Sequence, residues 1–412
     1  MVLRAAAWVV AFMVAIGNVF GQAGGDWTPV VEPDSSIFPS FIVSTATVRW
    51  PEEPAPADAA SGDAVTLGDD HGLLGVGITS PGDGVKVRLR IECPEVMEPT
   101  TFSAVLAKKG TLYAITPPIK WKYRALLESR QQMPVNVTFK LKVGDADEEE
   151  KFRVVTLRSI NDCLHSFAVG EDVRMVRWMF AAYVNEDHPW VDQLLKEALD
   201  TGLVSRFTGY QENDPDVVLK QVYAVWNVMQ RRGVRYSNIA SVSAASPRVG
   251  SQHVRFLDES VTYSQANCVD GSVMFASVLR KIGLDVRLVL VPGHMFLALK
   301  TDPASDELVG LETTVIGQHT RAEFDKTKKL RELMIDAPSF DDVSFATFEA
   351  ALKVASDRLA ADKDKLKDPD EAEYQLVSLD EARLMGIRPL PYLKSESPKK
   401  EGLSLEDLKI RK

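Results

Sequence analysis

The chain has 412 residues, enough for two domains that each bury a core of their own. With 45% hydrophobic and 26% charged residues its composition is that of a globular protein, not a disordered one. A formal net charge of −10 argues against nucleic acid as a partner, because phosphate binding needs clustered Lys and Arg.

The chain opens "MVLRAAAWVVAFMVAIGNVFGQAGG", with a single Arg4, an apolar run from Ala5 to Ile16, and small residues at Gly21 and Ala23. That run is shorter than the roughly 18 residues a membrane span needs, so residues 1–23 are expected to be a secretory signal peptide cleaved after Gly21 or Ala23. No later stretch is long and apolar enough to cross a bilayer. The mature chain is therefore expected to lack a transmembrane span and to be periplasmic or extracellular.

A first domain is expected over 35–163, with a flexible insert at about 50–72 that is rich in Pro, Ala, Gly and Asp and has no hydrophobic period. Beyond the insert the period is two. Val85, Val87, Leu89, Ile91 and Cys93 alternate with charged residues, and Val135, Val137, Phe139, Leu141 and Val143 alternate in the same way. Both runs read as half-buried antiparallel strands. The acidic "GDADEEE" then turns the chain into the strand-like "KFRVVTLRSI". No long helical pattern precedes Cys163, so an immunoglobulin-like β-sandwich is predicted. It carries no nucleophile–base pattern, which leaves it a role in packing and positioning. Asn136 in "NVT" fits a glycosylation acceptor but sits inside a strand pattern.

Three cysteines are an odd number for an exported protein. Cys93 and Cys163 either form a disulfide or stay as two small buried thiols. In both cases Cys268 is left as a free thiol.

After about His165 the period changes to 3.6, and the second domain is placed at 165–335. "HPWVDQLLKEAL" suggests one helix, with His188 at its start. "DPDVVLKQVYAVWNVMQRRG" suggests another, with Asp214 as N-cap, Pro215 at the first helical position and Gly233 as the stop. Trp190 and Trp226 occupy apolar helical positions and read as core.

Next comes "SQANCVDGSVMFASVLRKIGLDVRLVLVPGHMFLAL". Asn267 is a good N-cap, Asp270 three residues on nearly completes a capping box, and Gly283 ends the helix. Cys268 thus falls on a first helical turn. A single cysteine there is most simply a core residue. Yet the free N–H groups and helix dipole favour a thiolate, and the same N–H groups suit the oxyanion of a tetrahedral intermediate. "DVRLVLV" reads as a central strand, "PG" turns it, and "HMFLALK" begins a second strand with His294 as its first residue. A third, "LVGLETT", carries Glu312. A hairpin centred near Pro303 would put His294 and Glu312 on or next to the same cross-strand pair, sharing one face. A carboxylate beside an imidazole holds its tautomer and stabilises imidazolium.

Taken in order, this cysteine, helix, strand, histidine, strand and acid resemble the transglutaminase-like cysteine-enzyme superfamily, a relative of the papain-like fold, over roughly Asp187 to Ile335. The resemblance implies Cys268 as nucleophile, His294 as general base and Glu312 as orienting acid. Where the family more often has Asp followed by Pro, this sequence reads "LETT". The short spacing between Cys268 and His294 is similar to compact bacterial relatives rather than animal transglutaminases, and such relatives are thought of as peptidases or amidases. Gln252 is a candidate oxyanion donor by similarity to papain-like enzymes, and Asp270 is a cap before it is a catalytic acid.

The third region, a helical C-terminal extension at 336–394, is expected from "SFDDVSFATFEAALKVASDRLAADKDKLKD", with Phe345, Phe348, Leu352 and Val354 among its apolar residues, and from "VSLDEARLMGIRPLP". A disordered tail is expected over 395–412. The predicted class is α+β: an immunoglobulin-like β-sandwich, a transglutaminase-like α+β domain, and the extension. The leading function is an exported cysteine hydrolase or acyltransferase acting on peptide or protein amides, those of the cell envelope by analogy with the family, with no cofactor implied. Two others stand beside it: a catalytically inactive module that binds peptide or protein in the same cleft, and a zinc site using His253, His319, Cys268 and His294. The last lacks any close ligand pair such as CxxC or HxxxH.

Overall fold

A computed structural model describes residues 26–50, 64–169, 172–238, 246–318, 320–337 and 339–393. The expected signal peptide, most of the insert, the tail and His319 lie outside the described residues. Helices and strands are mixed, as in an α+β protein. Among the described residues no helix is long and apolar enough to cross a membrane. The chain divides into two compact units, Met1–Val176 with Val242–Gln252, and Arg177–Ser241 with His253–Lys412.

Two sheets face one core in the first unit. One has the order β1-β4-β7-β3, from β1 (Trp27–Val31), β3 (Val65–Gly68), β4 (Leu74–Thr79) and β7 (Leu112–Thr116). The other is β2-β9-β8-β5-β6, from β2 (Ser36–Ile37), β5 (Val85–Glu92), β6 (Thr100–Leu106), β8 (Met133–Val143) and β9 (Glu149–Leu157). The two-residue alternation decides what is buried. Leu89 lies opposite Leu141 and Ile91 opposite Phe139, all inward, while the charged residues between them face out. Trp27, Leu74, Val76 and Ile78 meet them from the first sheet in a single apolar cluster.

Cys93 belongs to that cluster as a free thiol, pushed up to about 12 first by burial and then by the charge of Glu95. Cys163 is likewise a buried free thiol, so of the two alternatives the structure holds the unbridged one. The described end of the expected insert includes a strand. Val65–Gly68 pairs in parallel with β7, and Asp69 N donates to Thr116 O at 2.6 Å. Four residues are too few to show a period. Nor does the helical part begin at His165, because β10 (Asp162–Val169) and β11 (Asp172–Met175) continue the β structure. They form a small sheet with β13 (Val249–His253), which follows β12 (Arg235–Tyr236) of the second unit.

The second unit has a four-stranded antiparallel sheet, β17-β16-β15-β18, from β15 (Val286–Val291), β16 (His294–Leu299), β17 (Val309–Leu311) and β18 (Gln375–Ser378). The chain also makes β14 (Gln265–Ala266), which pairs in parallel with β12. Among the described residues seven α-helices lie here, after the short α1 (Pro39–Thr45) and α2 (Tyr123–Glu128) of the first unit. They are α3 (Pro189–Asp200), α4 (Pro215–Arg231), α5 (Leu257–Tyr263), α6 (Cys268–Lys281), α7 (Lys328–Met334), α8 (Asp342–Ala361) and α9 (Leu379–Leu384). α4 starts as its sequence dictates: Asp214 accepts from Asp216 N, Pro215 is the first helical residue, and Gly233 beyond the end has φ +71°. Trp226 of α4, Phe275 of α6 and Phe348 of α8 share an aromatic core, with centroids 5.5 and 6.1 Å from Trp226.

The segment after residue 336 is not solely helical. β18 pairs with β15 and completes the sheet, and α8 lies against β17. A Cβ at Gly310 of β17 would fall 2.5 Å from the Ala355 carbonyl carbon and 2.6 Å from its Cβ, so glycine is what permits this approach. Gly310→Ala is therefore expected to lower stability by about 1–3 kcal/mol, the usual cost of overpacking. Urea unfolding checks it, and an unchanged midpoint would mean that strand and helix are not held this closely.

Candidate active site

Cys268 is the first residue of α6, and its local geometry follows from its neighbours. Asn267 is extended, with φ −85° and ψ −172°, and its side chain accepts from Val269 N at 2.8 Å and Asp270 N at 2.9 Å. Asp270 Oδ2 accepts in return from Asn267 N at 3.2 Å. This reciprocal capping box fixes the direction in which the helix leaves Cys268. Asp270 also takes Arg255 N on Oδ1 at 2.9 Å and Arg255 Nη1 on Oδ2 at 3.0 Å. Its side chain is 1% exposed, and burial raises its pKa against the opposing pull of these bonds. Asp270 is a cap and an ion-pair partner, with both oxygens engaged. Cys268 itself is half-buried.

His294 opens β16 opposite Val291, where Pro292–Gly293 turns the hairpin and Gly293 takes φ +68°. Its Nε2 lies 2.7 Å from Glu312 Oε2. The other Glu312 oxygen accepts from Thr314 N at 3.0 Å and Thr314 Oγ1 at 2.7 Å, which makes Glu312 the cap of a 3₁₀ turn over Thr313–Val315. Glu312 N donates to Ala351 O of α8 at 3.0 Å.

The observed register differs from a hairpin centred at Pro303. Leu297 pairs with Leu311, Ala298 with Gly310 and Leu299 with Val309, which moves the centre to Ala304. Continued by one step, this register sets Glu312 opposite Phe296 and diagonal to His294. A displacement of two residues preserves the face, so the two side chains still meet.

With Nε2 committed to Glu312, Nδ1 is the ring atom left for Cys268. Hydrogen bonding with the Cys268 side chain, and secondly with Glu312, raises the His294 pKa from 6.5 to about 10. Burial pushes the Glu312 carboxyl up, but the bond to His294 and the imidazolium charge outweigh it, with Thr314 adding to them, and the carboxyl lies below its ordinary value. A histidine so held can take a proton from a thiol and return it to a leaving group.

Tyr236 also borders this site and is not apparent from sequence. Its strand β12 pairs with β14 two residues ahead of Cys268, with Tyr236 opposite Ala266. Burial first, and then electrostatic interaction with Cys268 and Glu312, raise its phenol pKa. The sequence signal is position, three residues after the Gly233 that stops α4.

Of the other residues singled out, Gln252 is half-buried on β13 and His253 ends that strand. His188 caps α3, accepting from Trp190 N at 3.2 Å, and its Nε2 is 3.4 Å from Asp258. Among the described residues no group of three or more His, Cys, Asp or Glu side chains is arranged to hold a metal ion. No protein-family model matches the chain, and no curated protein matches it significantly.

Two outcomes follow from this geometry. Because the folded His294 pKa lies above its unfolded value, its contribution to stability is complete below 6.5 and is lost as pH rises through about 10. Thermal unfolding should therefore fall more steeply over that window in the wild type than in His294→Gln. Glu312→Asp is expected to lower the His294 midpoint, seen in its ring NMR signals, by about one unit, because the shorter side chain cannot span the diagonal. An unmoved midpoint would mean that Glu312 does not hold the ring.

Proposed function

We propose that the chain is an exported cysteine hydrolase or acyltransferase of transglutaminase-like type, acting on peptide or protein amides through Cys268, His294 and Glu312. The observation that carries this reading is the His294 ring, held by a buried carboxylate on one nitrogen and raised in pKa by the side chain of a cysteine at a helix N-terminus. The second unit is read as a transglutaminase-like, papain-related α+β domain. The first is read as an immunoglobulin-like sandwich that positions substrate or binds a partner, with the mature protein periplasmic or extracellular.

In the proposed reaction the Cys268 thiolate attacks the amide carbonyl carbon, forming the S–C bond and moving the carbonyl electron pair onto oxygen. Asn267 already takes the N–H groups of Val269, Asp270 and Gly271, so the backbone N–H of Cys268 itself is the proposed donor to that oxyanion. The C–N bond breaks as the His294 imidazolium passes its proton to the departing amine, leaving a thioester. Water or an amine then loses a proton to His294 and attacks the thioester, the S–C bond breaks, and the thiolate–imidazolium pair is restored. Glu312 orients the ring and offsets its charge without itself taking a proton. The chemistry requires no cofactor. Envelope peptides are the proposed substrate class, with water giving hydrolysis and an amine giving transfer.

Alkylation of Cys268 by iodoacetamide is the first measurement, made across pH with Cys93 and Cys163 monitored by mass spectrometry. His294→Ala is expected to slow alkylation at about pH 6 by tenfold or more, because thiolate is the reactive form. Cys268→Ser is then expected to reduce turnover of a peptide-amide panel by at least about a thousandfold. An alkylation profile indifferent to His294 would overturn the enzymatic reading. Peptide binding that survives in Cys268→Ser, with no turnover by the wild type, would assign the cleft to recognition alone.

A further inference from the structure

The first turns of α6 contain a residue that helix propensity disfavours. Gly271, one turn beyond Cys268, is buried, and its N–H donates to Asn267 O at 2.9 Å. Glycine within a helix is less favourable than alanine, so its presence calls for a spatial reason. That reason is Thr313. A Cβ at position 271 would lie 2.6 Å from Thr313 Oγ1 and 3.0 Å from Thr313 Cβ, closer than atoms pack. Thr313 is 3% exposed and its hydroxyl has no hydrogen-bond partner among the described residues, so this contact is one of shape.

Thr313 directly follows Glu312, and the opposite side of that dipeptide is fixed by the bond from Glu312 N to Ala351 O of α8. The two residues are thus clamped between α6 and α8. A packed interior leaves no slack for a Cβ at this point. We infer that Gly271 is a positioning residue: its missing Cβ sets the depth at which Thr313 seats on the helix carrying Cys268, and so the reach of Glu312 to His294. The inference rests on the active-site reading proposed above, with Gly271 acting through Glu312 and not on substrate.

Helix propensity and spacing predict opposite results for one substitution. If only the helix mattered, Gly271→Ala would be neutral or stabilising. If spacing matters, the protein loses the His294–Glu312 contact. The test follows the His294 ring by NMR against pH in the full chain, with Cys268 alkylation beside it, and needs no substrate. Gly271→Ala is expected to lower the His294 midpoint by about one unit or more, and to slow alkylation near neutral pH about tenfold. Adding Thr313→Ala removes the closest atom and should restore at least half of the shift, a coupling expected only of residues in contact.

An unaltered titration in a folded Gly271→Ala protein overturns the inference. Should Gly271→Ala fail to fold, the double variant decides. Recovery of the fold with a wild-type titration supports the spacing role, and failure to recover overturns it. A wild-type His294 that titrates at its ordinary 6.5 would instead remove the active-site reading itself, so the two failures are distinguishable.

Discussion

The arrangement around Cys268 depends on one contact, the 2.7 Å approach of Glu312 to the His294 ring across β16 and β17. Without it the ring, stacked on Phe296 at the mouth of a two-residue turn, would have no partner that commits one nitrogen and leaves the other for the sulfur. With it, one nitrogen is fixed, and the tautomer and plane of the ring follow. The contact is itself held from outside the hairpin. Ala351 O on α8 anchors the Glu312 backbone, and Thr314 occupies the second carboxylate oxygen. A segment late in the chain thereby sets the geometry of residues well before it.

Two buried carboxylates bear on this site, Asp270 near Cys268 in sequence and Glu312 next to His294 in space, and the structure uses them differently. Asp270 is enclosed by Asn267 and Arg255, and burial prevails, raising its pKa. Glu312 is nearly as buried, but it faces an ionisable ring, and the attraction prevails over burial. Environments that drive two similar groups apart divide a structural role from an electrostatic one. The carboxyl nearer Cys268 in sequence is the cap, and the distant one meets the histidine. Proximity in sequence is thus a poor guide to which acid serves a site.

Much of this was legible because the residues involved sit in long periodic elements or carry explicit end signals. Asp214, Pro215 and Gly233 mark α4, Asn267 and Asp270 mark the start of α6, and the β-branched run of β15 leads through Pro-Gly to His294. The shared face of His294 and Glu312 follows from the strand period alone. Register does not, because the loop between β16 and β17 is free to shift the pairing in steps of two without exposing an apolar face. Some of the elements that escaped detection are short: β3, β12, β14 and β18 have two to four residues each, and their identity comes from the neighbours they pair with. Gly271 escaped for another reason. Its meaning lies in Thr313, brought to it only by the tertiary fold.

The same register explains the choice of acid. In antiparallel strands, directly opposed Cβ atoms are about 4.5–5.5 Å apart, whereas diagonal residues are about 7–8 Å apart. Continuation of the β16–β17 pairing makes Glu312 a diagonal neighbour of His294, and the position lies just past the last paired residue, Leu311. An aspartate suits a directly opposed position, but across the diagonal its carboxylate falls short. The additional methylene of glutamate makes up that distance and leaves Oε1 free to close the 3₁₀ turn through Thr314. Glutamate at this position is therefore a consequence of where the hairpin is centred, and the side-chain length and strand register must change together if either changes.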